Sequence, residues 1–310
     1  MSLSRKILLA ASTSAWLREQ AARTKFVVRS VSRFMPGERL EDALEAAVRL
    51  KQDGIGAILT QLGENLTTAE ASEAVTRHYL EVLDRIGLAQ LDAQISVKPT
   101  QLGLDLDREL CHRQLRRLVD RAATRSQFTW LDMENARYVD ATLDLYRGAR
   151  ERTPRVGLAL QAYLYRTERD VESLLPHGAA IRLVKGAYLE SVDVAFPRKS
   201  DVDENFYRLA CRILDGQAQH PDTLLHIATH DARLIERLAA YIADRRIPAS
   251  AYEFAMLFGI QAPLQRRLVE SGRRLRVLIS YGEHWFPWYM RRLAERPANL
   301  WFVARNLFTG

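Results

Sequence analysis

Polar and apolar positions alternate along this chain in two rhythms. Short, nearly unbroken apolar runs recur at Ile55–Leu62, Ile95–Lys98, Phe128–Asp132, Gly157–Gln161, Ala180–Lys185, Leu224–Ala228, Tyr252–Ala255 and Arg276–Ser280. They lack the strict alternation of a half-exposed sheet, which is the pattern of strands covered on both faces. Between them lie longer stretches with apolar residues every three to four positions. Thr68–Gly87 opens on the capping-box pattern Thr67-Thr68-Ala69-Glu70 and ends at its glycine. Glu109–Ala123 places Leu110, Leu115, Leu118 and Val119 at helical spacing. Arg137–Arg150, Asp170–Leu175, Asp203–Gln217, Ala232–Asp244, Gln261–Glu270 and Trp285–Glu295 continue the series.

Strand followed by helix, repeated eight times, predicts the α/β class and a (β/α)8 TIM-like barrel. The barrel is expected over residues 51–310, with an N-terminal helical arm over 1–50 and the final helix (about 285–295) over the active site. An open doubly wound sheet would carry a glycine-rich first turn. The nearest match, Gly54-Ile55-Gly56, begins a strand instead of ending one. No phosphate-binding Walker pattern is present.

Composition narrows the class further. Among 310 residues, 47% are apolar and 27% charged, which is ordinary for a globular chain. Cys111 and Cys211, with no CxxC, exclude a disulfide framework and a zinc module and read as reduced thiols. The net charge is +7, and only six of the 45 basic residues are Lys. The basic residues mostly neighbour Asp or Glu, so solvated helix faces are favoured and no nucleic-acid partner is expected. No run of 18 apolar residues occurs, and Ile7–Ala11 is too short for a signal peptide, so a cytoplasmic protein is expected.

In a barrel the chemistry gathers at the C-terminal ends of the strands. Reading those ends in order gives Glu64, Lys98, Asp132, Gln161, Arg182 with Lys185, Thr229-His230-Asp231, Glu253 and Tyr281-Gly282. Both signs of charge are thus expected on one rim. On the last helix Arg291 and Glu295 stand four apart on one face, beside Arg292 and several aromatics. Paired guanidiniums suit a carboxylate or a phosphate. From residues alone, several chemistries stay open. Asp132 and Glu253 could form a glycosidase pair. Lys98 or Lys185 could form a Schiff base. A non-catalytic binding barrel is a third reading. His226 and His230 do not converge on a metal from a strand end, and no metal is expected.

Five blocks narrow this choice. They are Gln161-Ala-Tyr-Leu-Tyr-Arg166, Arg182-Leu-Val-Lys-Gly-Ala-Tyr-Leu-Glu190, Ala228-Thr-His-Asp231, Tyr252-Glu-Phe-Ala-Met-Leu-Phe-Gly259, and Tyr281-Gly282 followed by Arg291-Arg292-Leu-Ala-Glu295. In this order, over roughly residues 55 to 305, the chain resembles bacterial proline dehydrogenase of the stand-alone form. The resemblance implies a (β/α)8 barrel with noncovalent FAD over its C-terminal rim. It implies oxidation of L-proline to Δ1-pyrroline-5-carboxylate by hydride transfer to flavin N5. A membrane quinone would take the electrons, with peripheral association at the inner face of the cell membrane.

Residue by residue, the resemblance gives Arg291, Arg292 and Lys98 the substrate carboxylate. Glu295 would orient the arginines, and Trp288 would wall the ring. Asp132 would position Lys98 and the ring system. Arg182 would tune the flavin, because a nearby cation favours its reduced anionic form. Met133, Gln161, Arg182, Val184, Lys185, Gly186, Ala187, Tyr188, Thr229 and His230 would hold FAD, and Glu64 would gate the site. One position departs from the family pattern: Leu278 stands where many members have a Tyr that packs on the substrate ring. A hydroxyproline dehydrogenase is the nearest variant reading. An apolar Leu offers no partner to a hydroxyl, so proline is preferred.

Overall fold

Each of the expected strands forms and pairs in parallel with the next, and the last closes on the first to make a barrel. The computed structural model describes residues 31–295, with the backbone alone for 291–295. The strands are β1 (Gly56–Gln61), β2 (Ala93–Val97), β3 (Thr129–Leu131), β4 (Val156–Gln161), β5 (Ala180–Val184), β6 (Leu224–Ala228), β7 (Tyr252–Leu257) and β8 (Leu275–Tyr281). The α-helices among the described residues are α1 (Leu40–Gln52), α2 (Ala69–Leu88), α3 (Arg108–Thr124), α4 (Val139–Arg150), α5 (Thr167–Leu174), α6 (Lys199–Gly216), α7 (Ala232–Asp244), α8 (Ala262–Glu270) and α9 (Trp285–Glu295).

Local chemistry sets the boundaries. The Thr68 hydroxyl accepts from Ala71 N at 3.2 Å and starts α2. Asp107 and Asp231 cap α3 and α7 in the same way. Along each strand the side chains alternate between two environments. Outward residues such as Leu59, Ile95, Leu131, Leu158, Ile181, Ile227 and Ile279 join the helices in one large apolar core. Helix α1 adds Leu40, Ala43, Ala46 and Ala47 to that core and packs over the seam between β8 and β1. Residues 1–30 of the expected N-terminal arm lie outside the described residues.

The inward face is different. A small dry plug of Ile58, Trp130 and Ala180, flanked by Phe128, Leu224 and Leu278, fills the middle of the barrel. Around it stand buried polar residues: Gln94, Ser96, Lys98, Gln161, Arg182, His226, Glu253 and Arg276. Barrel interiors are usually packed with bulky aliphatic residues. Buried charges persist only where they are paired and hydrogen-bonded. Here they fall into two groups, one at each end.

The lower group corrects an expectation. Glu253 does not reach the C-terminal rim. Strand β7 runs on to Leu257, so Glu253 is its second residue and pairs in register with His226, itself in register with Arg182. Its carboxylate accepts from Arg274 and, at 2.5 Å, from Arg276 Nε. Arg276 Nη1 donates to Asp92 Oδ1 at 2.7 Å. This network closes the foot of the barrel. Asp132 lies just past the end of β3, at the opposite end, so the two carboxylates do not face one scissile bond and the glycosidase pair falls.

The outer surface shows where many of the arginines go. Arg117 meets Glu73 at 2.6 Å, Arg121 meets Asp84 at 2.7 Å and Arg237 meets Glu204 at 2.9 Å. Each pair bridges two neighbouring helices. Among the described residues no helix is long and apolar enough to cross a membrane.

Candidate active site

The upper group is built from two strand ends and the inward face of a third strand. Lys98 follows β2, Asp132 follows β3, and Arg182 is the third residue of β5. The neighbouring registers of β2, β3, β4 and β5 bring them to one side of the mouth. Asp132 is the hub. Its Oδ2 lies 3.7 Å from Lys98 Nζ, and its Oδ1 accepts from Arg182 Nη2 and, at 2.8 Å, from Ser96 Oγ. Ser96 Oγ also accepts from Arg182 Nη2 at 2.9 Å. Burial pushes the Arg182 guanidinium down from its ordinary range, and the Asp132 carboxylate opposes this by keeping it charged. The cluster carries one carboxylate against two cations, so it has room for a second anion.

The positions expected to hold a cofactor lie along β4, β5 and β6 and in their following loops. Gln161 ends β4, and its Nε2 donates to the Met133 carbonyl at 3.4 Å. Val184 ends β5, and Lys185, Gly186, Ala187 and Tyr188 follow it. Gly186 has φ of 118°, and a Cβ there would lie 2.3 Å from the Tyr163 ring, so only glycine fits. Lys185 donates to Asp203 at 2.6 Å and to Asp231 at 2.9 Å, so its charge is already answered within the protein. Burial works against the Asp231 charge, but Lys185 and Lys199 outweigh it and hold the carboxyl at about 2. Thr229 Oγ1 accepts from Asp231 N at 3.2 Å. His230 Nε2 accepts from Leu257 N at 2.8 Å, which leaves the ring proton on Nδ1.

Glu64, the expected gate, and Tyr188, expected to hold the flavin, meet. The Tyr188 hydroxyl donates to Glu64 Oε2 at 3.3 Å. Their loops follow β5 and β1, which stand opposite each other in the closed ring, so this contact crosses the mouth. Trp288 is buried on α9. Leu278 packs on the Ile58–Trp130 plug in the middle of β8, below the rim. The side chains of Arg291, Arg292 and Glu295 lie outside the described residues.

Glu134 escaped the reading of the sequence. Its two oxygens accept from Thr100 N at 3.0 Å and Thr100 Oγ1 at 2.7 Å, two residues beyond Lys98. Thr100 Oγ1 in turn accepts from Asn65 N at 3.0 Å, next to Glu64. Burial raises the Glu134 carboxyl to about 7 against the pull of Thr100 and Lys98. No local pattern marks this residue, because its partner lies 34 positions away.

Comparison with known proteins agrees with this geometry. The proline dehydrogenase family model matches residues 43–305. The chain is 37% identical to Proline dehydrogenase 1 of Bacillus subtilis subsp. natto, covering 89% of each chain. It is 35% identical to Proline dehydrogenase of Deinococcus radiodurans, covering 94% of each. In fold it is similar to proline utilization A (PutA) from Bdellovibrio bacteriovorus inactivated by N-propargylglycine, with a TM-score of 0.79 and 22% identity over 86% of this chain. It spans 32% of that longer chain. The family match and these full-length likenesses place one conclusion beyond the fold: the chain belongs to the proline dehydrogenase family.

Proposed function

We propose that this enzyme oxidises L-proline to Δ1-pyrroline-5-carboxylate with FAD as its redox group and a membrane quinone as electron acceptor. The observation that carries the reading is the Lys98–Asp132–Arg182 cluster at the barrel mouth, two cations sharing one carboxylate. Its excess positive charge suits a substrate carboxylate.

The residues of the mouth suit a flavin. Gln161 Oε1 and Arg182 Nη1 are buried polar atoms without a hydrogen-bond partner among the described residues, and such atoms normally find one. Gly186 keeps the β5 loop free of a side chain that would strike Tyr163. Gln161, Arg182, Val184, Gly186, Ala187, Tyr188, Thr229, His230 and the Met133 backbone would hold FAD, with Lys185 fixing the loop through Asp203 and Asp231. FAD, when bound, supplies the hydride acceptor.

The remaining work belongs to the protein. Lys98, with Arg291 and Arg292 from α9, binds the substrate carboxylate, and Glu295 orients the two guanidiniums and offsets their repulsion. Asp132 holds Lys98 and Arg182 in place. The positive field of these groups lowers the pKa of the substrate amine, because a second cation is disfavoured there. The neutral amine is the form that can give up hydride from the adjacent carbon. Holding that carbon in one orientation is the main catalytic contribution of the barrel. Helix α9 closes over the site, and Glu64 gates it. Electron delivery to a quinone calls for peripheral docking at the inner membrane face from the cytoplasm, which the net charge of +7 favours on anionic lipid.

The test is the visible spectrum of the purified protein, repeated anaerobically with L-proline. Flavin bands that bleach with proline are expected. Bands that persist would keep the cofactor and move the substrate, with Leu278 the first residue to examine. A colourless protein that takes up no added FAD would overturn the proposal.

A further inference from the structure

We infer that Trp130 is a positioning residue for Arg182, seated in a notch that Gly157 leaves open, and that it sets how the guanidinium acts on the bound flavin. The inference rests on the flavin reading above. Arg182 Cζ lies 5.1 Å from the centroid of the Trp130 ring. Cation–aromatic contacts of this kind are strongest where both partners are desolvated, and here both are buried. Among the described residues, hydrogen bonds to Asp132 and Ser96 fix Nη2 alone, at one edge of the planar guanidinium. Nη1 has no partner among the described residues. The indole therefore controls the direction that those hydrogen bonds leave free.

The indole is itself held from every side. Its Nε1 donates to Gln94 Oε1 at 2.6 Å. The His226 ring lies 4.3 Å away and the Phe128 ring 5.0 Å away. A Cβ on Gly157 would lie 2.4 Å from the indole, so the ring occupies space that any other residue of β4 would fill. Beneath it, His226 sits 3.1 Å from Glu253, within the network that closes the barrel foot. A rigid stack thus runs from the foot of the barrel to the guanidinium. Such a stack transmits a small displacement because packed interiors do not deform continuously.

The test compares wild-type protein with Trp130→Leu, Trp130→Phe and Gln94→Leu, each loaded with FAD. The readouts are the reduction potential of the bound flavin, its dissociation constant and the separation of kcat from KM for L-proline. Trp130→Leu is expected to make the potential more negative and weaken FAD about tenfold. It should lower kcat with little change in KM. Trp130→Phe, which keeps an aromatic face, should recover most of the potential. Gln94→Leu, which removes only one of the restraints on the indole, should shift the potential in the same direction and by less, and it decides the matter if Trp130→Leu does not fold. Wild-type potential in Trp130→Leu, or in Gln94→Leu where Trp130→Leu does not fold, overturns the inference. So does a loss that Phe fails to recover. A wild-type protein that binds no FAD would instead overturn the flavin reading, so the two failures are distinguishable.

Discussion

At the scale of single residues, Asp132 is where the site is most exposed to change. It is the carboxylate that lets Lys98 and Arg182 share one side of the mouth. Asp132→Asn keeps the shape and removes the charge, leaving two cations to repel each other and the buried guanidinium without its counter-ion. Breaking a buried pair of this kind costs about 3 kcal/mol or more. The expected outcome is a fall of roughly 100-fold in kcat/KM for L-proline, read by steady-state kinetics. A loss below threefold would show that Asp132 does not organise the site. Leu278 makes a second case. It packs on the plug of Ile58 and Trp130. Leu278→Tyr adds an aromatic face above that plug, so KM for L-proline should fall several-fold, and unchanged KM values for proline and hydroxyproline would show that this position does not touch the ring. Lys98, Asp132 and Arg182 were legible from sequence because each closes or interrupts an apolar run. Glu253 was misplaced because it is only the second residue of its strand, which Met256 and Leu257 carry still further towards the mouth. Glu134 was invisible because its meaning comes from Thr100, on another loop.

At the scale of elements, the strands were legible to within two residues at either end, since apolar runs covered on both faces stand out from the amphipathic helices between them. What the pattern could not give was the inward half of each strand. Inward and outward residues are both buried, so burial alone does not separate Ile58 from Leu59. The consequence is a pH dependence that only the structure reveals. Burial lowers His226 from 6.5 to about 4, so it stays neutral in the folded barrel. The unfolded chain takes up a proton there near pH 6.5 and the folded one does not until about pH 4. Stability from this site is therefore present above pH 6.5 and lost as the pH falls towards 4. Glu134 works in the opposite sense. Its carboxyl is raised from 4.5 to about 7, so its contribution is full below pH 4.5 and lost as the pH rises through 7. Urea unfolding midpoints measured from pH 4 to 8 should separate the two. His226→Gln should flatten the acid side, and Glu134→Gln should flatten the decline between pH 4.5 and 7. Parallel profiles for both variants and the wild type would show that neither group is held as described.

At the scale of the whole molecule, the two charged groups give the barrel a direction. The foot is closed by Glu253, Arg276 and Asp92, and the middle by the Trp130 plug, so among the described residues the mouth is the open end of the barrel. Across that mouth the loop after β1 and the loop after β5 meet where Tyr188 donates to Glu64. These loops belong to opposite strands of the ring, so drawing them together narrows the entrance without moving the barrel itself. Loops can move in this way while a rigid scaffold keeps the reacting groups aligned. Tyr188→Phe removes the hydroxyl and leaves the ring. The lost bond is exposed in part and its acceptor is a carboxylate, so a cost of about 1 kcal/mol is reasonable. If the tie closes the site around substrate, KM for L-proline should rise about fivefold while the flavin reduction rate at saturating proline changes little. Hydrogen exchange of the backbone at residues 186–190 should speed up in the same variant. An unchanged KM together with unchanged exchange would mean that the bond is incidental.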